Sequence, residues 1–448
     1  MSARRPVAYC AAGLLLFFGG CSPLGSSQNL DVVGEIRAFN ESLIAQSPSQ
    51  AATKFRKMQK DLVAFNRGLN HVFYRYVRSV GLQDRWLGSE SRRVILHGDF
   101  HVENLGAYQN ADGRVVVDLM DFDDSFQGPA LLDIYRCASS LFLAAHTDPM
   151  RERLVKAFVK SYVDTMENIA VKKMSADLVL DENSSCALVR KLIEDARNSD
   201  KATFYAGFAR CKWTGGKRVF CYSSDYEQAP MAVVQELMQS YLAGRGANDA
   251  TGFYRVLDAV VEKGSGVGSA GAFKVRVLVS GPTDDPNDDV LLEFKQEIAT
   301  EGEPFAVGHY VDQGLRVLQG ERTMQTLCPA QIGTARQGGR DFFVTELSAV
   351  YAELRWKDLV GSRAMEDAAT IAGMLLAKGH ARSSRDSGAV AAEIAQLLGP
   401  RREEFFQEVL GFSTRYEMFL KNGYERFSRH LTVNPLLMLM LRGFGDAR

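Results

Sequence analysis

The sequence lacks an excess of charge of either sign, long apolar runs in its body, and internal repeats. Its formal net charge is -1 over 448 residues, so nucleic acid is not an expected partner, because proteins that bind it carry a basic excess or patch. Beyond the N-terminus, no apolar run approaches the roughly 20 residues that a transmembrane helix needs. Hydrophobic residues still make up 46% of the chain, which is enough to bury the cores of two or three domains.

Cysteine is sparse and scattered. The chain contains 7 cysteines, and none has the CxxC spacing of a structural zinc site. Cys10 and Cys21 belong to the N-terminal segment, which leaves five in the body, an odd number that cannot all pair. Cys211 and Cys221 are the best candidates for a disulfide if the body is exported.

The N-terminus has the order of a secretory signal. Arg4 and Arg5 precede a mostly apolar run over residues 7–18, and two glycines then precede Cys21. The apolar run is too short to span a bilayer, which favours a cleaved signal over a membrane anchor. A cysteine directly after small residues resembles the lipobox of bacterial lipoproteins.

This resemblance implies that residues 1–20 are a lipoprotein signal peptide and that Cys21 is the lipidation site. Residues 21–50 are then a tether, since their first part is rich in turn-forming residues. The expected location is the cell envelope, with the protein lipid-anchored outside the cytoplasmic membrane. A plain signal peptide, or a start codon assigned too far upstream, remains the alternative.

Two strand-like runs enclose a turn in the middle of the chain. Residues 94–96 form a short β-type run followed by HGDFHVEN, and residues 114–120 form a second strand candidate that ends in DFD. The Asn-Ala-Asp-Gly segment at 110–113 predicts a hairpin turn. The hairpin would therefore have Asp99 and Asn104 in the loop that leads into it and Asp121 in the loop that leaves it.

Phosphoryl transfer needs this set of side chains. A carboxylate orients or accepts the proton of the attacking hydroxyl, while an Asn and a second carboxylate hold Mg²⁺. These roles fall to Asp99 as the catalytic residue and to Asn104 and Asp121 as metal ligands, with Asp123 as an additional ligand.

The same segments resemble a known class of kinases. HGDFHVEN is similar to the HGDxHxxN catalytic loop of aminoglycoside-phosphotransferase-like kinases, and MDFDD to their metal-binding segment, the counterpart of DFG. The resemblance extends to QGP and Leu132-Asp133, which implies that Asp133 is buried and braces the catalytic loop.

Two other interpretations of this region stay open. His97, Asp99 and His101 alternate along the chain and could bind a transition metal by themselves. The region could also be a polar hairpin whose side chains bind nothing.

A second group of residues predicts a nucleotide site. Glycines are dense between two predicted strands, at 254–261 and 273–279, and backbone N–H groups of such a loop can approach phosphates closely. Gly264, Gly266 and Gly268 are the candidate phosphate-binding residues, although an ordinary hairpin loop has the same pattern.

A lysine and a glutamate complete this prediction. The apolar strand LLEFK ends in Lys295, which could pair the phosphates of ATP or another nucleotide. The predicted helix 314–327 offers Glu321 as the partner of that lysine, with Glu297 and Glu346 as alternatives. A lysine at a strand end on the surface is the plainer interpretation of Lys295.

The order of these parts predicts an unusual fold. Ordinary kinases have the glycine loop and lysine before the catalytic Asp, whereas here they follow it. We therefore expect an α+β, protein-kinase-like two-lobed fold that is circularly permuted, unless one of the two assignments is wrong. The expected segments are a largely helical catalytic-loop lobe at 51–250, a β-rich nucleotide lobe at 251–360 and a C-terminal helical segment at 361–448.

Two other motifs have simple interpretations. Arg67, in AFNRG, is either a surface residue of an amphipathic helix or a cation near the phosphates. His380 and Arg382 either end a helix, where its dipole stabilises them, or contact substrate.

From about Ala52 to Leu431, the chain resembles the bacterial family called domain of unknown function 2252. The resemblance rests on segments in the family's order: FRKM, AFNRG, HGDFHVENLG, MDFDDSFQGP, GSGVGSAG, LLEFKQE, DQGLRVLQGERTMQ and LLAKGHARSS. The family name implies no activity, so function has to be argued from the motifs.

Two functions from different classes follow. The first is a kinase-like phosphotransferase, or another nucleotide-dependent transferase, that acts with Mg²⁺ on an acceptor that the sequence does not identify. The second is a non-catalytic envelope lipoprotein that uses a kinase-like fold for binding. The motifs favour the enzyme, whereas the signal peptide favours binding, because ATP is scarce outside the cytoplasm.

Overall fold

The computed structural model describes most of the chain. The described residues are 30–200, 203–204, 212–214, 217–220, 226–246, 253–262, 272–283, 285, 288–384 and 386–433. The predicted lipidation site Cys21 lies outside these residues, as do the candidate disulfide cysteines at 211 and 221. Gly264, Gly266 and Gly268 also lie outside them.

Helices form most of both ends of the described chain. They are α1 Val32–Phe39, α2 Glu41–Gln46, α3 Pro48–Met58, α4 Leu62–Arg67, α5 Asn70–Val80, α6 Leu131–Ala144, α7 Asp148–Ala170, α8 Ala187–Arg197, α9 Met231–Arg245, α10 Gln313–Met324, α11 Gly361–Ala381, α12 Ser387–Leu398 and α13 Arg402–Val433.

Strands occur in the middle of the chain. They are β1 Val94–Leu96, β2 Leu105–Gln109, β3 Val115–Leu119, β4 Phe126–Gly128, β5 Lys212–Thr214, β6 Lys217–Val219, β7 Tyr226–Gln228, β8 Val256–Glu262, β9 Lys274–Val279, β10 Val290–Glu297, β11 Gly333–Gln337, β12 Arg340–Glu346 and β13 Tyr351–Glu353. The fold is mixed α+β with several antiparallel sheets.

The largest sheet of the described chain has six strands in the order β11-β12-β10-β9-β8-β7, all antiparallel. Side chains alternate between its two faces because a strand has a period of two residues. On β10, Leu292 and Phe294 belong to the apolar cluster shared with α9. Glu293 and Lys295 therefore lie on the opposite face, where both line a cleft.

The predicted hairpin is confirmed. β2 and β3 pair antiparallel, with Leu105 opposite Leu119, and β13 adds to the free side of β2. The side-chain oxygen of Asn110 accepts the backbone N–H groups of Asp112 and Arg114 across the turn, at 3.1 and 2.8 Å. Gly113 has a φ of 80°, a conformation that glycine adopts readily.

The helical part packs around α6, which is buried along its whole length. A helix that is enclosed on all sides needs small or apolar residues all round, and the sequence of α6 is largely of this kind. The ring of Tyr135 stacks on Phe412 of α13 at a centroid distance of 4.0 Å. The described part of the C-terminal helix α13 therefore packs against α6.

The chain divides less simply than the expected segments. The sheet's apolar cluster includes α9, which precedes residue 250, whereas α11, α12 and α13 share a larger cluster with the N-terminal helices. The division at residues 250 and 360 therefore stays a prediction. Within the described ranges, no helix is both long and apolar enough to cross a membrane.

Candidate functional site

A cleft of about 1300 Å³ lies where the six-stranded sheet faces the hairpin. Five of the six predicted site residues that the structure describes line it: Asn104, Asp121, Asp123, Lys295 and Glu321. Asp99 is not among the lining residues but adjoins the cleft, because the Asn104 amide donates a hydrogen bond to the backbone carbonyl of Asp99 at 3.1 Å. Segments far apart in the sequence therefore meet at one site.

A buried carboxylate holds the loop that contains Asp99. Asp133 of α6 accepts the backbone N–H groups of His97 and Gly98, at 2.7 and 3.0 Å. Gly98 has a φ of 87°, and a Cβ at this position would overlap the carbonyl oxygen of Asp124. Only glycine fits here without strain, and the bracing role predicted for Asp133 is confirmed.

Asp133 is in turn held from α11. Its Oδ2 lies 3.2 Å from Nε2 of His380, whose Nδ1 is 2.9 Å from the hydroxyl of Tyr162. All three side chains are buried. The structure therefore assigns His380 a supporting role behind the loop, and sequence reasoning did not predict this contact.

Asp99 is paired with a buried arginine. Nε of Arg136 donates to its Oδ1 at 2.8 Å, and the Asp99 side chain is 22% exposed. Partial burial raises the pKa of Asp99 to about 6, while the positive charge of Arg136 acts in the opposite direction. The carboxyl group is therefore mostly ionised at neutral pH, as a proton acceptor must be.

The segment after the hairpin meets the sheet. Asp121 has a φ of 68°, a left-handed conformation that is uncommon for a residue other than glycine and often occurs at functional sites. Two residues later, the Asp123 carboxylate forms an ion pair with the ammonium group of Lys295 on β10. Lys295 is thus a cleft residue rather than a surface lysine.

The expected pair of Lys295 with Glu321 is not formed. Among the described residues, the ion pair of Lys295 goes to Asp123, and no ion pair joins it to Glu321, which is 7% exposed on α10. Burial raises the pKa of Glu321 to about 8. The alternative Glu297 is equally buried, and burial raises its pKa to about 7. Its Oε1 has no hydrogen-bond partner among the described residues.

The alternative transition-metal interpretation gains no support. Nε2 of His97 lies 2.8 Å from the carbonyl oxygen of Met120 and so has a protein partner. In the part of the chain that the structure describes, no three His, Cys, Asp or Glu side chains are grouped closely enough to hold a metal ion. A Mg²⁺ site that uses one or two carboxylates, with an amide oxygen such as that of Asn104, does not require such a group.

Sequence reasoning missed Arg136 and Asn66. Arg136 lies three residues after Asp133 in α6, so both face the loop that contains Asp99 from one side of the helix. That spacing was the available signal. The side-chain oxygen of Asn66 accepts a hydrogen bond from the guanidinium group of Arg136 at 2.7 Å. Its neighbour Arg67 pairs with Glu103 at 2.6 Å at the cleft edge.

The fold and site define a mixed α+β protein with a cleft between an antiparallel sheet and a braced loop. A family model described as "Uncharacterized protein conserved in bacteria (DUF2252)" matches residues 46–430, and the chain belongs to this family. The resemblance to the family called domain of unknown function 2252 is thereby confirmed. No curated protein and no solved structure matches the chain.

The Glu321→Gln variant tests the environment of this buried carboxyl. Since its pKa is raised from 4.5 to about 8, the folded chain retains a proton that the unfolded chain loses between these values, and this contribution to stability falls as pH rises through that window. Between pH 5 and pH 8, the free energy of unfolding of Glu321→Gln should gain about 1 kcal/mol or more relative to that of wild type. Urea unfolding at both pH values measures the difference.

Glu194→Gln, at an exposed position of α8, is the control and should show no comparable change. If the gain were absent in Glu321→Gln, Glu321 would be ionised in the folded chain, as it would be in an ion pair with Lys295.

Proposed function

We propose that the protein is a kinase-like phosphotransferase, or another nucleotide-dependent transferase, that acts with Mg²⁺ on an acceptor of unassigned chemistry. The observation that carries this proposal is the meeting of Lys295 with Asp123 in the cleft. These two residues lie 172 positions apart and come from the two motifs that independently predicted a nucleotide site and a metal site.

The order of elements around Lys295 supports a nucleotide lobe. The glycine-dense segment connects β8 to β9, Lys295 lies on the next strand, and α10 with Glu321 follows it. Protein kinases have a glycine-rich loop, a strand lysine and a helix glutamate in the same order. Since the catalytic loop precedes these elements here, we propose a circularly permuted kinase-like fold.

The side chains at the hairpin suit Mg²⁺. Asn104, Asp121 and Asp123 offer oxygen ligands, and Mg²⁺ in phosphate-transfer sites is usually held by one or two carboxylates together with substrate phosphates. When bound, the ion would neutralise phosphate charge.

The proposed transfer needs few protein groups. The acceptor oxygen bonds to the γ-phosphorus of ATP, the bond from that phosphorus to the β–γ bridging oxygen breaks, and ADP leaves. The proton of the acceptor hydroxyl passes to Asp99. Lys295 binds the α- and β-phosphates, and Asp133 keeps the loop of Asp99 in place.

Calorimetric titration of the purified full chain with ATP, with and without Mg²⁺, tests this site. We expect binding that depends on Mg²⁺. Asp121→Asn and Lys295→Ala should each weaken this binding about tenfold or more, equivalent to about 1.4 kcal/mol. The first removes a negative charge that attracts the metal, and the second removes a positive charge that attracts the phosphates.

Two substitutions outside the cleft serve as controls. Asp112→Asn changes the turn of the same hairpin, and Lys191→Ala changes an exposed residue of α8; both should bind like wild type. Absence of binding to the wild-type chain, or equal binding by Asp121→Asn and Lys295→Ala, would contradict the proposal.

The second candidate is a non-catalytic envelope lipoprotein that uses this fold for binding. The basic, apolar and small residues up to Cys21 favour it, because a lipid anchor would hold the body outside the cytoplasmic membrane, where ATP is scarce. Failure of the chain to bind nucleotide would favour this candidate, whereas the enzyme would need a phosphate donor available in the envelope.

The proposed lipid anchor has its own test. Cys21→Ala should remove the acceptor of the lipid and move the protein out of the membrane fraction, whereas Cys10→Ala, within the signal, should not. Fractionation of expressing bacteria measures the distribution. Unchanged membrane attachment of Cys21→Ala would disprove lipidation at this residue.

A further inference from the structure

The guanidinium group of Arg136 connects the proposed catalytic carboxylate to the helical core. Nε of Arg136 donates to Oδ1 of Asp99 at 2.8 Å. Its Nη1 donates to the side-chain oxygen of Asn66 at 2.7 Å and its Nη2 to the Asn66 carbonyl at 3.1 Å. The Arg136 side chain is only 1% exposed, so these contacts replace its hydration.

The position of the guanidinium is fixed from several helices. Asn66, in α4, also accepts a hydrogen bond from the hydroxyl of Tyr416 in α13, at 3.2 Å. The ring of Phe73 in α5 lies beneath the guanidinium, 5.5 Å from its carbon to the centroid. Helices from both ends of the described chain therefore converge on Arg136.

This arrangement leaves part of the Asp99 side chain accessible. Arg136 occupies Oδ1, while the side chain remains 22% exposed. The carboxylate of an aspartate on a loop can rotate about two side-chain torsions. A hydrogen bond that fixes one of its oxygens removes most of this rotational freedom. Reacting groups must be held close to their productive geometry, since a displacement of about 1 Å can lower a rate about 100-fold.

We propose that Arg136, anchored by Asn66, is the positioning residue that orients Asp99 toward the acceptor. This inference rests on the proposed phosphotransferase function. It assigns Arg136 no contact with the nucleotide or the acceptor. Asn66 contributes because the planar guanidinium group of Arg136 can bind Asp99 and Asn66 at once. A lysine has one ammonium group without this fixed geometry.

The test compares Arg136→Lys and Arg136→Gln with Arg151→Lys in the full chain. Arg151 is a matched control, because its guanidinium group, like that of Arg136, pairs with a carboxylate and lies over an aromatic ring. Its partners are Glu417 of α13, at 2.8 Å, and the ring of Phe142 in α6. For each variant we would measure the melting temperature, the Kd for MgATP by calorimetry, and kcat for phosphate release with water as acceptor.

We expect Arg136→Lys to lower kcat about tenfold or more while the Kd for MgATP changes less than about twofold. Arg151→Lys should keep kcat even where it lowers the melting temperature, which separates positioning from general stability. Wild-type kcat in a folded Arg136→Lys variant would overturn the proposal. Arg136→Lys keeps the charge and carries the test if Arg136→Gln fails to fold.

Crystal structures of wild type and Arg136→Lys give a readout that needs no turnover. The Asp99 carboxylate should leave its wild-type position in the variant, and an unmoved carboxylate would overturn the positioning role. A wild-type chain that does not bind MgATP would contradict the proposed phosphotransferase instead, and the two crystal structures would still decide the role of Arg136.

Discussion

The acceptance of two backbone N–H groups by Asp133 is the interaction on which the site depends. It holds His97 and Gly98 in the turn that leads to Asp99, and it comes from α6, the most enclosed helix of the described chain. A buried carboxylate is costly unless its oxygens have partners. His380, behind it, supplies a further contact, so the loop and the helical core stabilise one another.

Buried polar side chains with partners connect other elements around the cleft as well. A buried ion pair between Lys378 of α11 and Asp118 of β3 ties the hairpin to the helix that also carries His380. Arg136 ties Asp99 to α4. Breaking such a buried pair by removing one partner typically costs about 3–5 kcal/mol. The hairpin and the loop beside it are therefore rigidly attached to the helices, while Lys295 reaches them from the sheet.

Local patterns in the sequence predicted the parts of the site that depend on neighbouring residues. The turn at 110–113 predicted the β2–β3 hairpin, and the resemblance to kinase loops implied the bracing role of Asp133. The strand that contains Lys295 was also predicted, although it continues past Lys295 to Glu297. In each case the signal lies within one strand, turn or motif, where the period of two residues and turn chemistry determine the outcome.

Contacts between distant segments were not predictable in this way. Arg136 meets Asn66 across 70 positions, and nothing local to either residue specifies the other. Lys295 pairs with Asp123 rather than with Glu321, because the position of the sheet over the hairpin determines which carboxylate lies beside the lysine. The family is shown by the match over residues 46–430, whereas the activity still rests on the chemistry of the cleft.

We propose that the triphosphate of a nucleotide binds between Lys295 and the segment after the hairpin. A crystal structure of the full chain with Mg²⁺ and a non-hydrolysable ATP analogue would show whether it does. We expect phosphate oxygens beside the Lys295 ammonium and Mg²⁺ in contact with Asp121 and Asn104. An analogue bound elsewhere, or a cleft without nucleotide at saturating concentration, would contradict it.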